Sequence, residues 1–210
     1  MKKISDSTIQ RLSKYLRTLE MLEIMDVLTI SSGRIAQIEQ ITSSQVRKDL
    51  SFFGSFGRRG LGYNVISLKK KIQGILGVNR PWNVAVVGVG NLGTALIDYN
   101  EMRRRKFNIR CIFDNDPAKI GSTIKGLVVQ DVSALPKSVK EYNLQIGIIT
   151  VPIHAAQQVA DMLTAAGVRG ILTFAPKTLT VPPGIFIQTE DTTTPLETLA
   201  YHLSKTRTIT

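Results

Sequence analysis

The stretch VAVVGVGNLGTAL, residues 84–96, constrains this chain more than any other. An unbroken apolar run meets glycines and gives way to a segment of helical character, so it reads as strand, tight turn and helix. Within it, Gly88, Val89, Gly90, Asn91, Leu92 and Gly93 fit the spacing G-x-G-x-x-G. Gly88 permits the tight turn, Gly90 lets backbone approach a phosphate, and Gly93 lets the helix lie close on the strand. A pyrophosphate there would meet free N–H groups and the positive end of the helix dipole. Asp114 lies 21 residues past Gly93, at the end of IRCIFD. A carboxylate there accepts ribose hydroxyls and repels a 2′-phosphate, which favours NAD(H) over NADP(H).

The rest of residues 81–190 continues the same grammar. NVAVVG, IRCIFD, LQIGIITVP and GILTFAP are apolar strands without polar alternation, interleaved with the helical segments NLGTALIDYNEM and AAQQVADMLTAAG. Such strands indicate a parallel sheet covered on both faces, an α/β Rossmann-type domain. IFIQTE adds an edge strand. Thr150, Val151 and Pro152, with Phe174, Ala175 and Pro176, end later strands on the carboxyl edge where open α/β sheets bind ligands. These six are candidate nicotinamide contacts, with plain turn punctuation as the alternative. The closing PLETLAYHLSK places Leu196, Leu199 and Leu203 on one helical face, which packs either on its own domain or on a partner subunit.

Charge separates the two ends of the chain. Of a net +11, residues 1–80 hold 14 Lys+Arg against 6 Asp+Glu, and residues 81–210 hold 13 against 10. The excess calls for an anionic partner at the N-terminal part, nucleic acid before acidic membrane. There a first helix follows the cap candidates Ser5–Ser7, with Ile9, Leu12, Leu16 and Leu19 at helical spacing. SSGRIAQIEQI and TSSQVRKDLSFF give two short helices across a polar break, a helix-turn-helix pattern. Thr42 and Gln45 have capping-box spacing, and Val46, Leu50 and Phe53 form an apolar stripe. Ser44, Gln45, Arg47 and Lys48 then occupy the early turns of a recognition helix. From there Arg and Lys donate to guanine and Gln reads adenine. GSFGRRGLGY reads as a β-ribbon or wing with Arg58, Arg59 and Gly60 at its tip and Tyr63 at its base; Arg11 completes the candidate nucleic-acid contacts. SLKKKIQGILG is a further helix and VNRPW the linker.

Catalytic machinery is harder to find. His154 begins a helix, His202 lies on the terminal helix, and no Tyr-x-x-x-Lys pair occurs, since Arg103 and Ile146 stand four residues after Tyr99 and Tyr142. No Cys/His/Asp cluster has metal-ligand spacing, so no metal is expected. Arg103–Lys106 reads as a solvated helix end. The single cysteine, Cys111, excludes an internal disulfide and points to a reducing compartment, hence cytoplasm. No apolar run reaches the length of roughly 18 residues that a membrane span needs, and MKKISDSTIQ lacks the apolar core of a signal peptide. A nucleotide site without an evident acid or base reads as a sensor. An NAD-dependent oxidoreductase with a basic extension, or a nucleic-acid-binding protein holding CoA, are the alternatives.

SSQVRKDLSFFGSFGRRGLGY, VVGVGNLGTAL, FDNDP, TVP, GILTFAP and the closing Asp plus helix resemble, in that order, the Rex family of bacterial redox-sensing repressors. The resemblance implies a winged-helix DNA-binding domain over residues 1–80, an NAD(H)-binding Rossmann domain over 81–190, and a dimerisation helix over 191–210 exchanged between subunits. It further implies a homodimer on a palindromic AT-rich operator, repressing fermentation and respiratory genes until NADH releases it. On that pattern Arg47 and Lys48 enter the major groove and the Arg58–Arg59 tip meets the minor groove or backbone. Gly88–Gly93 hold the pyrophosphate, Asp114 holds the adenosine ribose, and Tyr99, Asp191 and Thr192 couple nucleotide to DNA. Two departures stand out: Thr192, Thr193 and Thr194 follow Asp191 where the family has an apolar or aromatic residue, and Tyr15-Leu16 replaces a pair of tyrosines. The first bears on how NADH is told from NAD⁺.

Overall fold

The computed structural model describes residues 4–54 and 61–206. They form two compact units that divide between Arg80 and Pro81. In the first, α1 (Asp6–Ile24) starts at Ser5, whose hydroxyl accepts the Thr8 N–H at 3.3 Å. It buries Leu12, Tyr15, Leu16, Leu19 and Leu22. Ile9, expected in that stripe, is 43% exposed. Tyr15, three residues after Leu12, is what continues the buried face, so the stripe runs one turn later than the leucines alone imply.

Strand β1 (Thr29–Ile30) leads into α2 (Ser32–Glu39), capped by Ser31, whose hydroxyl accepts the Arg34 N–H at 3.1 Å. The break before the next helix is Gln40, in the left-handed region at φ 55. Helix α3 (Ser43–Ser51) is capped by Thr42, which accepts the Gln45 N–H at 3.2 Å. Only half of the capping box forms, because the Gln45 side chain turns away to Asp49. Strand β2 (Tyr63–Asn64) pairs antiparallel with β1, and Asn64 caps α4 (Val65–Ile75). Gly62, at φ 73, lies so close to β1 that a Cβ would stand 2.6 Å from the Ile30 carbonyl oxygen. Val46, Leu50, Leu68 and Ile72 close the core against α1. The ribbon tip, with Arg58, Arg59 and Gly60, lies outside the described residues.

The second unit is built on a seven-stranded sheet, counted among the described residues. Its strands are β3 (Trp82–Val87), β4 (Phe107–Asp114), β5 (Thr123–Ile124), β6 (Leu127–Asp131), β7 (Ile146–Ile149), β8 (Gly170–Thr173) and β9 (Phe186–Thr189). They stand in the order β5-β6-β4-β3-β7-β8-β9, parallel except for the β5–β6 pair. Omitting β5, that is the doubly wound order, whose reversal beside the first strand opens a crevice at the carboxyl edge. Alternation along β3 feeds two cores. Ala85 and Val87 face the side covered by α7 (Leu135–Glu141) and α8 (Ile153–Ala165). Val84 and Val86 join Leu96, Ile97 and Met102 on the other.

NLGTALIDYNEM is not one helix: α5 (Asn91–Asp98) and α6 (Asn100–Arg104) are separated by Tyr99 in extended backbone. IFIQTE contributes β9 at the sheet edge, parallel to β8. The hairpin β5–β6 and helix α7 had no reading in the sequence. The last element, α9 (Thr193–Thr206), leaves Leu196, Leu199, Tyr201 and Leu203 58–68% exposed.

Candidate nucleotide site and nucleic-acid interface

The glycine turn joins β3 to α5 at the carboxyl edge, as its sequence required. Gly88 has φ 98, and a Cβ there would lie 2.8 Å from the Thr150 carbonyl oxygen. Gly93 is tighter still: its Cβ would sit 2.0 Å from the Gly88 carbonyl oxygen. Gly90 is different, since a Cβ there would meet nothing within 4 Å. Its lack of a side chain therefore serves no contact within the protein and leaves space in front of the helix N-terminus. Asn91 and Leu92 are exposed in that first turn, while Val89 is buried.

Two side chains brace this turn. Thr150, just after β7, donates its hydroxyl to the Gly88 carbonyl at 2.6 Å and to the Val87 carbonyl at 3.1 Å. Asp114, at the end of β4, accepts the Val89 N–H at 2.9 Å, the Asp116 N–H at 3.0 Å and Lys119 Nζ at 3.1 Å. Burial works to raise the Asp114 carboxyl, but these three donors outweigh it and hold it below the ordinary carboxylate range. The carboxylate is thus ionised and already anchored to the turn. The sequence marked Asp114 for ribose alone and missed Lys119; the i, i+5 spacing in DNDPAK offered no familiar signal.

The strands β3, β7 and β8 are adjacent and parallel, so their ends bring Thr150, Val151 and Pro152 and then Phe174, Ala175 and Pro176 to the edge that bears the turn. Phe174 is half-buried against the core beneath α5, and Ala175 lies within the core under α8. Pro152 and Pro176 are exposed. Tyr99, 57% exposed, is at the far end of α5, on a cleft of about 790 Å³ shared with Asp98, Asn100, Arg103, Arg110 and Lys125. Asp191 accepts the Thr193 N–H at 2.8 Å and the hydroxyls of Thr193 and Thr194 at 2.6 and 3.1 Å. Those bonds depress its carboxyl, and through them the threonine run closes the start of α9. Thr192 is exposed beside it. His154 lies exposed in the first turn of α8. Among the described residues no group of three or more His, Cys, Asp and Glu could hold a metal ion, and no helix is long and apolar enough to cross a membrane.

In the first unit α3 presents Ser44, Arg47 and Lys48 to solvent. Arg47 donates to the Ser32 hydroxyl at 3.1 Å, which steadies it across the break between α2 and α3. Tyr63, in β2, is half-buried, and burial raises its hydroxyl above the ordinary value against the opposing effect of Arg47. Beneath α3 lies a feature absent from the reading of the sequence. Asp49 is fully buried and accepts Arg11 Nε at 2.6 Å, Arg11 Nη2 at 2.7 Å, the Tyr15 hydroxyl at 2.7 Å and Gln45 Nε2 at 2.8 Å. Arg11 and Gln45 are therefore already engaged by the protein. The signal was a lone acid in a basic helix, next to the core residue Leu50.

Comparison with known proteins agrees with both halves. The family model described as a CoA binding domain matches residues 79–177, and one described as a putative DNA-binding protein N-terminus matches residues 3–51. The redox-sensing transcriptional repressor Rex of Desulfitobacterium hafniense is 47% identical over 98% of this chain and 98% of its own. That of Carboxydothermus hydrogenoformans is 48% identical over 97% and 98%, and that of Thermus aquaticus 46% over 90% and 89%. Among solved structures, RSP, a Rex-family repressor, superposes in its complex with β-NAD⁺ and operator DNA at a TM-score of 0.93, 35% identical over 100% of this chain and 96% of that one. Its complex with β-NADH gives 0.90 at 33% identity, over 100% and 98%. By these relatives, spanning both its basic helical unit and its braced glycine turn, the chain belongs to the Rex family of redox-sensing transcriptional repressors.

Proposed function

We propose that this chain represses transcription by binding palindromic AT-rich operators of fermentation and respiratory genes, and that NADH, competing with NAD⁺, releases it. The observation that carries this is the joining of a dinucleotide-type turn with a recognition helix in one chain. RSP, which matches it along its whole length, was captured with β-NAD⁺ on operator DNA and also with β-NADH. Two features support this reading: the first N–H groups of α5, behind Gly90, would meet the phosphates, and the ionised Asp114 at the end of β4 would accept ribose hydroxyls. Val89, Asn91 and Leu92 would line the pyrophosphate, and Thr150–Pro152 with Phe174–Pro176 the nicotinamide. The same complexes favour NAD(H) over CoA.

Residues 1–80 are the DNA-binding domain on this reading, with Ser44, Gln45, Arg47 and Lys48 toward bases and Arg58, Arg59, Gly60 and Tyr63 toward the backbone or minor groove. Residues 81–190 hold the nucleotide and 191–210 join a homodimer through the uncovered leucines of α9. Tyr99, Asp191 and Thr192 transmit the nucleotide state. The chain acts in the cytoplasm and is not an enzyme. Linkage sets the size of the effect: NADH shifts the equilibrium only by its differential affinity for the two states, and about 100-fold corresponds to roughly 2.7 kcal/mol. A mobility-shift titration on operator DNA tests this. Release at low NADH with little release at matched NAD⁺ supports it, and equal response to both refutes redox sensing. Steady hydride turnover by purified protein would restore the oxidoreductase reading.

A further inference from the structure

The Asp49 cluster is more than a buried ion pair. Each carboxylate oxygen takes two donors: Arg11 Nε and the Tyr15 hydroxyl on Oδ2, Arg11 Nη2 and Gln45 Nε2 on Oδ1. Arg11 and Tyr15 belong to α1, and Asp49 and Gln45 to α3. Among the described residues α3 also meets the core through the apolar side chains Val46 and Leu50, and at its exposed side Arg47 donates to Ser32 of α2. Apolar burial is non-directional and lets a helix slide or turn a little. A guanidinium fork on a carboxylate does not, because both bonds must stay aligned at once. The tolerance matters for base reading. Turning a helix by about 10° moves a side-chain tip roughly 6 Å from its axis by about 1 Å, which is enough to break a hydrogen bond to a base edge. Desolvating a charged pair here contributes little net stability compared with an apolar pair of similar volume. What it supplies is orientation.

We infer that Asp49 is a positioning residue for DNA recognition: gripped by Arg11 and Tyr15, it fixes the rotation of α3 and the direction of the Gln45 amide. Arg11 then acts on DNA through Asp49 and not by touching it. An ionised carboxylate only accepts, so it takes the amide nitrogen of Gln45 and leaves Oε1 as the acceptor for a base. Arg47 and Lys48, on the solvent side of the same turns, inherit their register from this grip. The inference rests on the reading of the first unit as the DNA-binding half.

The test uses the full chain and a duplex that the wild-type protein enriches from a random-sequence pool, against a scrambled duplex of equal composition. The variants are Tyr15→Phe, Arg11→Gln, Asp49→Asn and the Arg11→Gln/Asp49→Asn pair, with NADH affinity and thermal melting measured alongside. Tyr15→Phe deletes one donor and leaves the ring in the core, so it stays informative if Asp49→Asn fails to fold. Expected is an enriched-duplex affinity lower by about tenfold in each single variant, with scrambled-duplex affinity and salt dependence within about twofold of wild type. The pair should lose no more than the worse single change. Folded variants with unchanged preference for the enriched duplex overturn the inference. So does Arg11→Gln if it weakens both duplexes alike and lowers the salt slope by about one, which marks a direct phosphate contact. A wild-type chain that enriches no sequence overturns the DNA-binding reading itself, and this inference with it.

Discussion

Single residues divide here into those that shape the protein and those that leave room for something else. Gly93→Ala pushes a Cβ to 2.0 Å from backbone and should cost about 1–3 kcal/mol of stability in chemical denaturation, as overpacking does. Gly90→Ala meets no neighbour, so stability should hold while NADH affinity, measured by calorimetric titration, falls by about tenfold or more. Equal stability losses in both would deny Gly90 its place at the phosphate. Asp49 makes a prediction in pH. Burial tends to raise its carboxyl, yet bonds from Arg11, Tyr15 and Gln45 hold it below the ordinary value. A depressed carboxyl contributes stability that is full above its unfolded pKa of about 4 and is lost as pH falls through its folded value. The acid limb of the unfolding curve should therefore flatten in Asp49→Asn, and an unchanged limb would refute the assignment. Glycines, whose absence of a side chain is itself the message, were legible in the sequence. The Asp49 grip was not, because its α1 partners Tyr15 and Arg11 lie 34 and 38 residues away, separations that encode no period.

At the level of elements, what could be read was what is buried on both faces or capped by its own neighbours. The buried stretches of β3, β4, β7 and β8, such as Val84–Val87 and Cys111–Phe113, are apolar because helices cover the sheet on each side. The caps at Ser5, Ser31 and Thr42 each accept an N–H three residues on. The hairpin β5–β6 escaped because it is short, half-exposed and at the sheet edge, and the Tyr99 break because IDYNEM carries no glycine or proline to announce it. On α3 the exposed cations make a sharper test than composition did. Lys48→Ala should relax base discrimination at one operator position by about 1–3 kcal/mol, read from affinities for singly substituted duplexes. A uniform loss across all duplexes would instead place Lys48 on phosphate.

For the whole molecule, the exposed leucines of α9 set the expectation for assembly. A chain ending before Thr193 should halve its mass in light scattering and lose operator affinity while keeping NADH binding; an unchanged mass would move the dimer contact elsewhere. That the helix is amphipathic was legible, while what covers it was not, because a single chain's sequence does not distinguish its own surface from its copy's. The break at Tyr99 makes the length of α5 matter for the proposed coupling through Tyr99. Helix α5, eight residues from Asn91 to Asp98, is a rod of about 12 Å with the glycine turn at one end and Tyr99 at the other. Rotational phase along a helix advances by about 100° per residue. On the proposed coupling, one alanine inserted between Ile97 and Asp98 leaves the turn intact and swings Tyr99 around the axis: calorimetric NADH binding should persist while NADH-driven release in a mobility-shift titration is lost.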